Sequence, residues 1–436
     1  MASTFLSRTM GTSTSELKHT CSMWLKRTGI GSEQFVWMNR EDGSNRTYFR
    51  FNATDTISFK NEGGSSVDLQ TTQKFKDVGA WYNIVIAIDT TQATSSNRVK
   101  IYINGVQITS FSDETYPSQN AIFSFNNVCS IGSNGASSLY FDGLITHINI
   151  VDGTQELPTA FGEIDSTSGI WTAKTTPSVT YGNNGFFLKM ENASAMGTDS
   201  SGNSNTFTVS GSLTKNQDTP ANNFATWNPL VQQSSGFVLS NGNTTADNTN
   251  DTWRSVYSTL APSVGKYYFE CKIVNQLQTP RSIIGVCSTA QASNSSARLG
   301  YEGTNAYAYG SDGNKINNGT NTSYGNTFAT GDIISCGLDL DNGKIYFGKN
   351  GTWQNSGDPT SGSTGTGSAF NVTLGEFYYF GSASYGNEGI ISINSGNGYF
   401  QTTPVSSAGT NASGNGIFEY DVPTGYTALS TEGLNS

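Results

Sequence analysis

Two hydrophobic patterns run along this chain, and both belong to strands. Cys21-Ser-Met-Trp-Leu-Lys26 and Val99-Lys-Ile-Tyr-Ile103 alternate apolar with polar, which places successive side chains on opposite faces of a sheet. Trp81-Tyr-Asn-Ile-Val-Ile-Ala-Ile-Asp89 is almost continuously apolar and predicts a central strand buried on both sides. Asn104-Gly105 follows the second alternating run and Val106-Gln-Ile-Thr resumes it. Asn-Gly between alternating runs predicts a tight hairpin, because both turn positions need positive φ. Leu340-Asp-Asn-Gly-Lys-Ile-Tyr-Phe347 and Lys349-Asn-Gly-Thr-Trp353 repeat the device. Helical periodicity over Ser15–Arg27 is weaker than its alternation, and no helix longer than a turn or two is expected.

The pattern loosens between Pro158 and Asn228, where apolar runs are short and far apart. Gly185-Phe-Phe-Leu-Lys-Met190 reads as one strand there, Asp199-Ser-Ser-Gly-Asn203 as a turn and Pro220–Pro229 as a connector. The fold expected is therefore all-β: two tandem antiparallel β-sandwiches over 1–210 and 229–436, joined by a linker at 211–228, with the main boundary near residue 225.

Composition supports this. The chain has 436 residues, a length for two or three domains. Charged residues are 13% of it, about half the usual share, and Asn, Ser, Thr and Gly fill the gap. Aromatics at 12% exclude a disordered chain. The net charge of −10, with no basic cluster, argues against nucleic acid as a partner. No stretch approaches the ~20 apolar residues of a membrane span, so no membrane insertion is expected. Met1–Gly11 lacks the apolar core of a signal peptide. Cys21, Cys129, Cys271, Cys287 and Cys336 are odd in number and without metal-ligand spacing, so free thiols and folding in a reducing cytosol are expected.

Catalytic chemistry finds little support. A glycosidase needs two carboxylates across the scissile bond. Glu163-Ile-Asp165 supplies the start of a Glu-x-Asp-x-x-Glu strand, but Ser168 stands at the third position. Only His19 and His147 are present, and no Gly-x-Ser-x-Gly elbow precedes a helix. No cofactor is called for. A calcium ion, which takes oxygen ligands, could use Asp199 with Asn203, or Asp113, although Asp-Ser-Ser-Gly-Asn is also ordinary turn chemistry. For ligand binding the aromatic residues Tyr301, Tyr307, Tyr309, Tyr324 and Trp353 in the second half are the candidates. Tyr307 and Tyr309 share strand parity, so one face of a core can claim both. Trp24 and Trp81 are expected in the first core. The sequon at Asn52-Ala-Thr54 arises by chance in so Asn- and Thr-rich a chain.

Several of these runs resemble known families. Trp81–Asp89 followed by Arg98-Val-Lys-Ile-Tyr-Ile-Asn-Gly105, with Phe141-Asp-Gly-Leu-Ile-Thr-His-Ile-Asn-Ile150, resembles the laminin-G-like (concanavalin A-like) jelly rolls from about Phe5 to Phe207. Gly265-Lys-Tyr-Tyr-Phe-Glu270, Ile283-Ile-Gly-Val286, Tyr307-Ala-Tyr-Gly310 and Asp339–Phe347 resemble a SPRY domain from about Asn228 to Leu434. Tyr or Phe stands where many SPRY members carry Trp. With the tail Pro423-Thr-Gly-Tyr-Thr-Ala-Leu-Ser430, the pairing resembles virion structural proteins of marine tailed phages. That resemblance implies a non-enzymatic tail-fibre, tail-associated or capsid-attached protein, assembled in the host cytoplasm and located in the virion. Its partners would be other virion proteins and a host-surface glycan or protein, and it would be a homo-oligomer, a trimer by analogy. The alternatives are a purely structural docking or decoration protein, and a secreted bacterial lectin or polysaccharide-degrading enzyme.

Overall fold

The computed structural model describes residues 4–435 apart from 64–65, 124, 136–137, 167–168, 232–236, 277–280, 294–297 and 387–388. It is built almost wholly of antiparallel strands, and among the described residues the one α-helix is a single turn, Thr289–Ala292. The chain forms two compact units, one running to Lys215 plus Thr219–Ala221, the other Asn216–Asp218 plus everything from Asn222.

In the first unit an eight-stranded sheet faces a six-stranded one. Lys18–Arg27 and Trp81–Asp89 are the central pair of the smaller sheet, in register from Lys18↔Asp89 to Lys26↔Trp81. Ile84, Ile86 and Ile88 point into the main core with Trp37, Phe49 and Phe59, each contributing about 1.5–3 kcal/mol by burial. Val85 and Ala87 point the other way, into a second cluster with Phe161, Tyr181 and Phe187. The continuous apolar run is thus buried on both sides. It also bears on the loose middle of the sequence: Phe161 and Tyr181 are anchored on the outer face of this sheet, whereas Ile164 and Ile170 stay exposed.

The second unit repeats the plan. One sheet includes Gly389–Asn394, Lys266–Asn275, Ile333–Asp339 and Lys344–Lys349; the other includes Trp253–Tyr257, Tyr378–Tyr385, Ser282–Ser288 and Ala306–Gly310. Both outer faces are covered, one by Phe418, Val422, Tyr426 and Phe224, the other by Ala292 and Leu299.

Turn chemistry follows the sequence at Asn104-Gly105 (φ 49° and 81°) and Asn350-Gly351 (φ 48° and 79°). The hairpin at Asn342-Gly343 differs. Asp339 pairs with Lys344, leaving a four-residue loop in which Gly343 takes positive φ and the Asp339 carboxylate accepts the amides of Asp341 and Asn342. The stretch 211–228, expected as a linker, is largely folded. Leu213 packs on the first core, and Phe224, Ala225 and Trp227 are buried in the second unit. Their apolar surface finds a core, which a solvated connector does not offer.

Candidate functional site

The five aromatic candidates divide sharply. Tyr307, Tyr309 and Tyr324 belong to the second unit's core. Tyr309 packs against Phe347, Phe328 and Tyr324, and its hydroxyl donates to the Asn326 carbonyl. The Tyr307 hydroxyl meets Thr373, and that of Tyr324 donates to the Gly367 carbonyl. Shared parity put Tyr307 and Tyr309 on the inner face, so none of these three rings offers a face to a ligand. Trp353 is half-buried and lies edge-on to Tyr268 and Tyr346, with centroids 6.3 and 6.4 Å away. Of the five, Tyr301 is the one that joins a surface constellation.

That constellation lies on the outer face of the Trp253–Tyr257 sheet. Trp253 and Tyr385 are cross-strand partners, with rings edge to face at 5.8 Å. The Arg298 guanidinium lies 3.5 Å from the centroid of Trp253 and 3.5 Å from that of Tyr301, clamped between the two. Arg281 stands 4.0 Å over Tyr385. All five side chains are half-buried. The base beneath is rigid: Tyr257, Ile283, Cys287, Leu299, Ala308 and Ala383 are buried, and the Leu299 amide donates to Ser255 Oγ at 3.1 Å. The Tyr301 hydroxyl is held by Asn321 at 3.1 Å.

Burial lowers the Arg298 pKa, while Tyr301 and Asp312 oppose that; arginine keeps its charge regardless. Its Nε is buried without a hydrogen-bond partner among the described residues. Stacking two rings on a guanidinium fixes its plane, so the remaining N–H donors point along one defined edge. Trp, Tyr and Arg together are also the residue types that dominate binding energy at interfaces. The sequence hid this set because its members come from four separate segments, with Arg298 and Tyr301 sharing one turn. Only Tyr301 carried a signal; the alternation that puts Trp253 and Tyr257 on one face was the other available cue.

The remaining candidates are accounted for locally. Asp199 accepts the amides of Phe187, Ser201 and Asn205 and the Ser201 hydroxyl, and Asn203 donates to the carbonyls of Gly182 and Gly185. Both oxygens of Asp199 are thus engaged in turn hydrogen bonds. Asp113 is exposed on the edge strand Phe111–Thr115. Among the described residues no group of three or more His, Cys, Asp or Glu converges as metal ligands. Glu163 lies exposed in a two-stranded hairpin with Trp171–Ala173, Asp165 caps its turn through Gly169, and Ser168 lies outside the described residues. His19 is buried against Phe125 at 3.5 Å, and His147 contacts Thr146, whose hydroxyl donates to the Lys189 carbonyl. All five cysteines are buried free thiols; burial raises those of Cys21, Cys129, Cys271, Cys287 and Cys336. Trp24 and Trp81 are buried in the first unit.

Residues 6–156 match the concanavalin A-like lectin/glucanases superfamily (Laminin_G_3), and residues 266–392 match the SPRY domain. The chain carries these two domains in tandem. It is similar to Ran-binding protein 9 of Danio rerio, 35% identical over 94 residues, which is 21% of this chain and 15% of that protein. Ran-binding protein 9 of Homo sapiens is 36% identical over 94 residues, 21% of this chain and 12% of that protein. The match thus spans a small part of these relatives' length. Among solved structures, the SPRY domain of human HERC1 aligns at 20% identity over 38% of this chain and 96% of that one, with a TM-score of 0.30.

Proposed function

We propose that this chain is a non-enzymatic recognition protein whose SPRY domain captures a protein or glycan on the Arg298–Trp253–Tyr301–Tyr385 face. The carrying observation is the Arg298 guanidinium clamped at 3.5 Å between two rings, a preformed donor edge on a rigid apolar base. The setting we propose is a phage virion. It is supported by the resemblance of the paired modules and the tail to virion structural proteins.

A second reading is docking onto a neighbouring protein without receptor capture. It is favoured by Val264, Leu374 and Phe377, which are 70%, 52% and 55% exposed. They lie close to the loop at Gly343, since Gly265 bonds Asp341, Leu374 abuts Gly343 and Tyr378 bonds Pro262.

The full chain on glycan and peptide arrays separates the two. Recognition at the arginine face requires a hit that Trp253→Ala and Arg298→Ala each weaken by at least about tenfold, about 1.4 kcal/mol. A hit that survives both substitutions refutes the site. Silence on both arrays, with the protein found in a particle by electron microscopy, favours docking.

A further inference from the structure

The SPRY match stops at residue 392, but the fold does not. The chain continues as a strap across the outer face of the sheet holding Lys266–Asn275, and buries Phe418, Val422 and Tyr426 around Tyr268. Between strap and sheet lies Glu270, fully buried. One carboxyl oxygen accepts the Tyr268 hydroxyl and the Tyr420 amide, both at 2.9 Å. The other accepts the Glu419 amide at 2.9 Å and Asn394 Nδ2 at 3.3 Å. Two backbone amides of the strap thus end on a single side chain of the sheet.

Among the described residues no cation pairs with that carboxyl. Lys266, on the same strand, is ion-paired to Asp339 at 3.0 Å, and Lys272 sits over the Phe400 ring at 5.8 Å. From the strap comes Glu419, of the same sign, which raises the Glu270 pKa further, and the Tyr420 phenol; from the adjoining strand comes Ser335, and behind Glu270 the Cys271 thiol. Both histidines of the chain lie in the first unit.

We propose that Glu270 makes the strap over 409–430 a pH-responsive clasp, closed while its carboxyl is protonated and loosened when the carboxyl ionises. The neutral form suits the geometry. Its hydroxyl can donate to Tyr268 Oη, whose own proton turns to Ser335 Oγ at 2.9 Å, while both oxygens still accept the strap amides. The ionised form keeps four donors but has no counter-ion among the described residues. Burial outweighs the donors and pushes the pKa up to about 7 from its ordinary 4.5. The sign follows from linkage: the closed strap holds the proton more tightly than the open one, so opening grows as pH rises from about 4.5 to about 7 and levels off above. The strap also walls a cleft of about 370 Å³ through Ala412, Ser413 and Thr427, facing Lys266, Tyr267 and Asp341. Its release would open that cleft and bare Tyr268.

Hydrogen exchange on the full chain tests this. The readout is protection of amides 418–422 divided by that of the central strand Ile334–Leu338, at pH 5 and pH 8. The ratio should fall by at least about tenfold at pH 8, and Glu270→Gln should make it independent of pH. Should Glu270→Gln fail to fold, Tyr268→Phe serves instead, because it removes one partner of the proton and must move the midpoint. A wild-type ratio constant across this range overturns the clasp. So does pH dependence that persists in Glu270→Gln, or a midpoint unmoved in Tyr268→Phe.

Discussion

The Arg298 stack makes a prediction whose size can be worked out. Arg298→Met keeps most of the aliphatic stem and removes the charge. An exposed cation–π contact is worth about 0.5–1 kcal/mol and a desolvated one about 2. Arg298 is half-buried and lies 3.5 Å from two ring centroids, so each ring should contribute about 1 kcal/mol. The substitution should then destabilise the second unit by about 1.5–2 kcal/mol. Much of that is specific to Trp253, so a double-mutant cycle with Trp253→Leu should give a coupling of about 1 kcal/mol. Urea unfolding of the full chain is the assay, following the transition in which the amides of Ser282–Ser288 lose exchange protection. Independent sites add within about 0.3–0.5 kcal/mol. A coupling inside that range would mean the stack is not energetically real, and the preformed donor edge would go with it.

Two further outcomes follow from buried groups. Tyr309→Ala should cost the second unit about 3–5 kcal/mol through its cavity, and Tyr309→Phe about 1–3 kcal/mol by stranding the Asn326 carbonyl; thermal unfolding measures both, and near-zero costs would return Tyr309 to the list of surface candidates. In the first unit, burial drives the His19 pKa down to about 3 from 6.5, against the opposing pull of Asp152. Its folded form resists protonation, so stability is complete above pH 6.5 and falls as the solution is acidified toward pH 3, with a slope approaching about 1.4 kcal/mol per pH unit. His19→Leu should flatten that acid limb, which urea titrations at several pH values would show.

How much of this could be read beforehand depends on the range of the interaction. Strand alternation and Asn-Gly turns are local, and Asn104-Gly105 and Asn350-Gly351 adopt the positive φ pair that their hairpins require. The layers on the outer sheet faces are not local. Phe161 and Tyr181 in one unit, and Tyr426 in the other, stand singly in polar sequence and acquire meaning only against a sheet distant in the chain. The same holds for the proposed recognition face. Arg298 and Tyr301 share one turn, but Trp253, Arg281 and Tyr385 join them from distant segments, with strand pairing bringing Trp253 opposite Tyr385. Aromatic character alone therefore pointed to Tyr307, Tyr309 and Tyr324, which the core had already taken.

Each module is closed by its own ends. In the first, Phe5 pairs with Ser210; in the second, Phe224 bridges to Ser430. The chain enters and leaves each fold through neighbouring, oppositely directed segments. A load applied between those points would part the closing pair one hydrogen bond at a time, as a zipper opens, instead of shearing all of them together. Such a module also needs no wide gap in a host chain. It can be spliced into a loop, or new termini cut elsewhere and the old ones joined by a short link, without spreading the sandwich.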